Sequence, residues 1–106
     1  MVDQNIVAVI RSYLGNLPTY GIHPTAAVLF GSFARGDQSE ESDIDLLVLA
    51  PEFDDLKDRS MINAMWKAAI IDYRLEPIAC GNLEWNSNDR RPIVEIARRE
   101  GVVIPV

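Results

Sequence analysis

The chain is poor in the side chains that most often bind soft metals or act as nucleophiles. Its 106 residues include one cysteine, Cys80, and one histidine, His23. A single cysteine excludes an intramolecular disulfide. We expect a small buried side chain rather than a nucleophile, because the only histidine has no evident link to it. His23 lies in a loop marked by Gly21 and Pro24, where a surface position is more common than a ligand role. Metal or acid–base chemistry in this chain therefore has to come from carboxylates.

Long apolar runs and a basic N-terminus are also absent. No run approaches the roughly 18–20 apolar residues that span a bilayer. Acidic Asp3 stands where a signal peptide carries positive charge. We therefore expect a cytoplasmic protein with no membrane association. The length and the 48% hydrophobic content fit a single domain over residues 1–106, and they are compatible with a homo-oligomer or a complex.

Positive charge is scarce, and the acidic residues are concentrated in one region. The net charge is −6, and residues 37–58 contain nine acidic residues and one basic residue. Neutralising phosphates requires an excess of Lys and Arg, so we do not expect direct binding of nucleic acid. A concentrated acidic zone on a folded domain is either a solvated face or a cation site. Composition alone leaves both open.

Hydrophobic periodicity and turn residues predict the order α-β-β-α-β-α-β. The predicted segments are a helix over 2–14, strands over 25–30 and 43–50, a helix over 52–67, a strand over 69–80, a helix over 92–100 and a strand over 102–105. The helix over 52–67 offers one apolar face, with Trp66 expected in the core. Pro77 indicates an edge position or the end of its strand. This order indicates an α+β or α/β layered fold.

Two acids at the start of the second predicted strand break its apolar pattern. Alternation along a strand places Asp43 and Asp45 on the same face, with Cα atoms roughly 6.5–7 Å apart. Two like charges held so close on a half-buried surface repel each other and lose hydration. A hard cation such as Mg²⁺ compensates for both effects, and it commonly completes its shell with substrate phosphates.

A candidate phosphate-binding segment precedes these acids. Gly31 and Ser32 directly follow the strand 25–30, where a glycine lets the backbone approach a ligand and successive N–H groups bind an anion. The Ser32 hydroxyl is a further donor, and Arg35 lies one helical turn beyond it. The two segments together predict a site for a metal-bound phosphate compound.

The stretch GSFARGDQSEESDIDLLV resembles the signature of the DNA polymerase β-like nucleotidyltransferase superfamily, and most closely that of its minimal nucleotidyltransferases. The match covers Leu29 to Leu49. It implies a mixed β-sheet of about four strands packed against helices. The superfamily takes a third acid from a neighbouring strand, commonly as Arg-x-Asp or Arg-x-Glu. Glu76, two residues after Arg74, matches this pattern, and Asp72 on the same face is the alternative.

The resemblance implies an enzyme that transfers a nucleoside monophosphate, with AMP expected, from a nucleoside triphosphate to a hydroxyl. Asp43, Asp45 and Glu76 would be the catalytic residues and would hold two Mg²⁺ ions. Gly31 and Ser32 would hold the β- and γ-phosphates. Arg35 would either offset the charge of the leaving pyrophosphate or pair with an acid among residues 37–41.

The resemblance also implies a partner protein. Many minimal nucleotidyltransferases act beside a small helical HEPN-type protein, which is a toxin, and some transfer AMP to it. An alternative function is therefore an antitoxin or binding module that neutralises such a toxin, with a tyrosine hydroxyl as the acceptor. A third alternative is a catalytically degenerate nucleotide-binding domain, because Glu76 stands where many relatives carry aspartate.

Overall fold

The computed structural model describes residues 2–55 and 59–106. Its α-helices are α1 (Gln4–Asn16), α2 (Ser32–Arg35), α3 (Arg59–Ala68), α4 (Asn82–Trp85) and α5 (Pro92–Glu100). Its strands are β1 (Ala26–Phe30), β2 (Ile44–Leu49), β3 (Leu75–Cys80) and β4 (Val102–Pro105). Short 3₁₀ turns cover Leu17–Tyr20, Pro51–Asp54 and Ala69–Ile71. In these described residues no helix is both long and apolar enough to cross a membrane.

The four strands form a mixed sheet in the order β3-β2-β1-β4. Strand β1 is antiparallel to both β2 and β4, whereas β2 and β3 are parallel. This confirms the α+β fold and the mixed sheet of about four strands. Strand β3 lies at an edge, as Pro77 predicts. The backbone polar groups of Pro77 and Ala79 point away from β2, so the N–H that proline lacks is not needed in the β2–β3 ladder. Arg91 Nη2 donates to the Ala79 carbonyl at 2.6 Å.

The sheet buries apolar side chains on both faces. On one face, α1 contributes Ile6, Ile10, Tyr13 and Leu14, and they pack with α3 and the sheet in a large cluster. The Tyr13 hydroxyl donates to the Met65 carbonyl at 2.9 Å, which satisfies a buried phenol and ties α1 to α3. The other face is covered mainly by α5, through a smaller cluster around Val94 and Ala97. We call these the α1 face and the α5 face.

The helix predicted over 52–67 is wrong at its start. Pro51–Asp54 is a 3₁₀ turn, Asp55 is extended, and α3 begins at Arg59 in the described chain. The break has a specific cause at Asp54, whose carboxylate accepts from the Leu83 N–H at 2.9 Å and so caps α4 instead of starting a helix. Trp66, predicted in the core, is 46% exposed. Leu56, expected on the apolar face of this helix, lies outside the described residues.

The third predicted strand is shorter than its sequence pattern indicates. Only Leu75–Cys80 pairs with β2, while Ala69–Ile71 forms a 3₁₀ turn. The reason is local, because the Asp72 carboxylate accepts the Arg74 N–H at 2.9 Å and closes a turn that redirects the chain. The segment predicted as a loop after Cys80 contains the short helix α4. The last helix and the last strand have the predicted bounds.

Candidate active site

Asp45 and Glu76 stand side by side on neighbouring strands. They are direct partners in the parallel β2–β3 register, so both side chains lie on the α5 face. Leu47 and Leu49, which share parity with Asp45, are buried in the α5-face cluster. Asp43 immediately precedes β2 and is exposed. Asp45 and Glu76 thus lie at the end of the α5 face where β2 and β3 begin, and Asp43 lies close enough to Asp45 for its charge to act on it.

The pKa of Asp45 depends on the charges of the neighbouring acids. Burial raises the pKa of the Asp45 carboxyl, and the charges of Asp43 and Glu76 raise it further. The Arg35 guanidinium opposes this rise and the carboxylate of Glu100 adds to it. A half-buried carboxylate surrounded by three others is destabilised in its charged form. A bound cation would offset this repulsion.

Gly31 brings the predicted phosphate segment into contact with Asp45. Phe30, the residue before it, pairs with Asp45 across β1 and β2. Gly31 has φ of 74°, and a Cβ placed on it would lie 2.2 Å from Asp45 Oδ2. Only glycine therefore fits here, for both conformational and steric reasons. Helix α2 starts at Ser32, whose half-buried side chain lies beside this contact.

Arg35 forms two ion pairs at the surface of the site. Its Nε donates to Asp37 at 3.2 Å and its Nη1 donates to Glu100 at 3.1 Å. The pairing with an acid in residues 37–41, one of the two predicted alternatives, is therefore present in this structure. Hydrogen bonding and charge from Asp37 raise the pKa of the exposed Arg35, so it is cationic at any physiological pH. The side chain remains available to an incoming anion, since exposed pairs are weak.

Glu100 is the residue that sequence reasoning missed. It ends α5, and its Oε1 accepts from the Gly31 N–H at 3.2 Å as well as from Arg35. It is separated from the motif by more than fifty residues, so spacing carries no signal for it. One signal was available. An acid in the last turn of a helix interacts unfavourably with the helix dipole, so its presence there indicates a role other than stabilising the helix.

Asp72, the alternative third acid, is engaged elsewhere. Arg74 donates to it from Nε at 3.0 Å and from Nη2 at 2.7 Å, in addition to the backbone N–H. The Arg74 side-chain hydrogen bond holds the pKa of the Asp72 carboxyl below its usual range. Among the groups that perturb Asp45, Glu76 is present and Asp72 is not. The geometry therefore favours Glu76 over Asp72 beside Asp45.

The donor set fits a hard cation that shares its ligands with a substrate. Carboxylate oxygens are the ligands Mg²⁺ prefers, and the clash of a Gly31 Cβ with Asp45 shows that the acid is in contact with the predicted phosphate segment. Within residues 2–55 and 59–106, no group of three or more His, Cys, Asp or Glu side chains could hold a metal ion by itself. A cation here would therefore need further ligands, which the phosphate oxygens of a substrate would supply.

The chain's histidine and cysteine are remote from this chemistry. His23 is exposed and pairs with Glu52, with Nδ1 3.2 Å from the carboxylate. Cys80 is buried, and burial raises the pKa of its thiol to about 11. The thiol is therefore protonated and unreactive at neutral pH. Both predictions, a surface histidine and a buried structural cysteine, are confirmed.

Comparison with known proteins identifies the class to which this fold and site belong. The nucleotidyltransferase domain family matches residues 10–97, so the chain belongs to that family. Its members are transferases that move nucleoside monophosphates from nucleoside triphosphates, and the predicted recognition and enzyme class are confirmed. The family usually uses a divalent metal.

Two particular relatives can be named. The chain is 54% identical over 35 residues to a protein of Methanocaldococcus jannaschii described provisionally as a protein adenylyltransferase. This match covers 33% of the chain and 35% of that relative. A Sulfolobus solfataricus crystal structure, described provisionally as a nucleotidyltransferase, superimposes with a TM-score of 0.66 at 16% identity. The superposition covers 93% of this chain and 78% of the Sulfolobus solfataricus chain, and it supports only the assignment of the fold.

Proposed function

We propose that the protein is a Mg²⁺-dependent nucleotidyltransferase in which Asp43, Asp45 and Glu76 are the catalytic carboxylates. It transfers a nucleoside monophosphate, AMP in the first instance, from a nucleoside triphosphate to a hydroxyl. The observation that carries the proposal is the position of Asp45, which stands against Gly31 on one side and beside Glu76 on the other. A phosphate held at Gly31 would meet the acids directly.

Each residue has a distinct task in this reaction. The backbone at Gly31, the Ser32 hydroxyl and the Arg35 guanidinium bind the β- and γ-phosphates and leave the α-phosphorus near Asp45. The acceptor oxygen bonds to the α-phosphorus while the bond from that phosphorus to the bridging oxygen breaks, and pyrophosphate leaves. Arg35 stabilises the charge that develops on pyrophosphate. Glu76, half-buried and beside Asp45, accepts the proton of the acceptor hydroxyl.

The cations belong to the same carboxylates. Asp43 and Asp45 would hold one Mg²⁺ ion, and both together with Glu76 would hold a second. When bound, such ions lower the pKa of the attacking hydroxyl and neutralise charge on the triphosphate. The protein's part is to bring the carboxylates together on a rigid sheet, even though this raises the pKa of Asp45.

We take residues 1–106 as one nucleotidyltransferase domain. The family match ends at residue 97, yet β4 pairs with β1 beyond it. Ile6 and Ile104, both outside the matched range, are buried in the α1-face cluster. The flanking residues thus complete the same core, which supports a single folding unit.

We propose a protein hydroxyl as the acceptor. The relative described as a protein adenylyltransferase supports this choice, as does an exposed apolar patch beside β3. The patch comprises Trp66, Ile70, Ile71 and Tyr73, of which Ile70 is 82% and Tyr73 91% exposed. A helical HEPN-type partner or a second copy of the chain would cover this surface, and a cytoplasmic setting suits both. The antitoxin role would be this same modification, directed at a toxic partner.

The decisive experiment removes the acids in pairs. The double variant Asp43→Asn with Asp45→Asn is expected to lose Mg²⁺-dependent ATP binding and AMP transfer to a co-expressed partner, measured by calorimetry and intact-mass spectrometry. The control, Glu40→Gln with Glu41→Gln, removes the same charge from the exposed loop and is expected to retain both. Equal loss in the control would contradict the proposal. A wild-type protein that binds ATP with Mg²⁺ but transfers no AMP would favour the catalytically degenerate domain.

A further inference from the structure

Glu100 already occupies the position at which the proposed function binds phosphate. A single oxygen, Oε1, accepts from the Gly31 N–H at 3.2 Å and from Arg35 Nη1 at 3.1 Å. One donor precedes α2 and the other is the last residue of α2, and both converge on one carboxylate at the C-terminal end of α5. The contact is therefore a tertiary one, made by residues 65 to 69 positions apart.

Two features of the surroundings of Glu100 oppose a negative charge. It stands in the last turn of α5, where the helix dipole favours a cation. It also lies near enough to Asp45 to destabilise the ionised form of that acid. The Gly31 N–H and Arg35 are the groups that offset these repulsions. The carboxylate of Glu100 thus accepts from the same two donors that would bind an anion.

We propose that Glu100 is an internal competitor that makes this position selective for a metal-bound triphosphate. Free pyrophosphate and metal-free nucleotide must displace Glu100 and then remain beside it, Asp43, Asp45 and Glu76. A metal-bound triphosphate carries less negative charge and brings a cation for those acids. This inference rests on the proposed function, and it adds a residue that the family motif does not include.

The competition has a consequence for turnover. Once the nucleotidyl group has been transferred, the product left at Gly31 and Arg35 is pyrophosphate. The return of Glu100 to the same two donors would help to expel it. Glu100 therefore acts through Gly31 and Arg35 and does not touch the reacting atoms. It is a positioning and selectivity residue rather than a catalytic one.

The test uses Glu100→Gln, whose amide oxygen can still accept from Gly31 but carries no charge. The matched control is Glu95→Gln, because Glu95 lies on the same helix and pairs with Arg90 away from the site. Binding of inorganic pyrophosphate without metal, and of ATP with EDTA or with Mg²⁺, is measured by calorimetry. For Glu100→Gln we expect pyrophosphate and metal-free ATP to bind on the order of tenfold more tightly, because a like charge has been removed.

Selectivity is read from the ratio between ligands. Binding of ATP with Mg²⁺ is expected to change by less than about threefold in Glu100→Gln, since that complex is less anionic. In turnover Mg²⁺ also binds pyrophosphate, so product inhibition by pyrophosphate should strengthen by a smaller factor than its affinity without metal. Glu95→Gln is expected to leave all these values unchanged. Glu100→Asp keeps the charge with a shorter reach, and its pyrophosphate affinity should stay closer to wild type than that of Glu100→Gln.

The contact itself has a direct readout. The amide resonance of Gly31 is expected to shift in Glu100→Gln and to shift again when pyrophosphate is added. Unchanged or weaker pyrophosphate binding in Glu100→Gln would overturn the inference, as would no detectable pyrophosphate binding in either protein. A gain in pyrophosphate affinity in a protein that never binds ATP with Mg²⁺ would uphold the competition at Gly31 and contradict the proposed function instead. If AMP is transferred but Glu100→Gln leaves pyrophosphate affinity unchanged, the proposed function stands and the inference about Glu100 is wrong.

Discussion

The two faces of the sheet differ in how completely they are covered. On the α1 face, α1, α3 and the turn Leu17–Tyr20 bury a large apolar cluster that extends along the sheet. On the α5 face, α5 and Trp85 pack with the sheet in a cluster of seven buried residues, and acidic side chains stand where β2 and β3 begin. The α1 face therefore contains most of the apolar core, and the proposed active site lies at one end of the α5 face.

Strand β2 carries this difference residue by residue. Leu46 faces the α1 side and Leu47 the α5 side, and both are fully buried. Asp45 shares the face of Leu47, one step closer to the uncovered end. The strand can tolerate its acids because the opposite face remains apolar without interruption at Ile44, Leu46 and Val48.

The largest effects are expected from truncating the two leucines. Leu46→Ala and Leu47→Ala should each lower the free energy of unfolding by about 2–5 kcal/mol, because each leaves a cavity. A second measurement, of nucleotide binding, distinguishes the two faces. At temperatures where both variants are folded, Leu47→Ala should weaken nucleotide binding and Leu46→Ala should not, since only Leu47 lies beside Asp45 on its face. Equal weakening by both would remove the functional distinction between the faces.

The next effect concerns the third acid. Glu76→Gln should reduce the rate of transfer by about 10²–10³-fold through lost transition-state stabilisation, with little change in thermal stability. Asp72→Asn is the matched control on the same stretch of chain, and its transfer rate should stay near wild type because Arg74 already engages that carboxylate. Initial rates measured at saturating ATP and Mg²⁺ compare them. The reverse ranking would assign the role to Asp72.

Gly31 and Gly36 provide a smaller and more specific contrast. Both have positive φ, 74° and 83°, but a Cβ meets Asp45 Oδ2 at Gly31 and nothing within 4 Å at Gly36. Gly31→Ala should cost about 1–3 kcal/mol of stability and abolish nucleotide binding. Gly36→Ala should cost about 1–2 kcal/mol from backbone strain alone and retain binding. Chemical denaturation and calorimetry measure the two quantities, and retained binding in Gly31→Ala would contradict the phosphate-binding role.

The smallest effect is a pair of opposite pH dependences. Burial, then Asp43 and Glu76, raise the pKa of Asp45, so the folded state binds this proton more tightly than the unfolded state. Without metal, stability is therefore lost as the pH rises from about 4 through the raised pKa. Asp72 has a lowered pKa, so its stabilisation is present above about pH 4 and is lost as the pH falls through the folded-state pKa.

Thermal unfolding in EDTA at a series of pH values checks both signs. Relative to wild type, Asp45→Asn should gain stability as the pH rises above about 4 through the raised pKa of Asp45. Asp72→Asn should lose stability relative to wild type as the pH rises from below the lowered pKa of Asp72 to about 4. Parallel curves for the two variants would show that the uncovered end of the α5 face carries no electrostatic cost. The proposed compensation by a cation would then be unnecessary.

Local patterns in the sequence predicted much of the fold and part of the candidate site. The glycine and serine after an apolar strand, and the two acids that begin the next, are contiguous signals, and the structure brings Gly31 and Asp45 into contact. Helix α5 and strand β4 were predicted with their observed bounds because proline and glycine delimit them. The role of each carboxylate stays a proposal.

The failures lie where a tertiary contact overrides a local pattern. The helix predicted from Glu52 does not form there, because Asp54 caps α4 almost thirty residues away. Trp66 fits an apolar helical stripe, but it lines a groove of about 340 Å³ at the edge of the sheet and stays half exposed. Trp85, in contrast, packs against the α5-face cluster with Arg98 above its ring, which no local periodicity indicates.

By itself, the sequence determined the glycine turn after β1, the position of Asp45 on one face of β2 and the layered order of helices and strands. These follow from the periodicity of side chains and from the conformations that glycine and proline allow. Only the tertiary structure decided that Glu76 stands beside Asp45, that Asp72 belongs to Arg74, and that Glu100 lies on Gly31. Those pairings depend on strand register and on where a distant helix ends, and both are set by how the whole core packs.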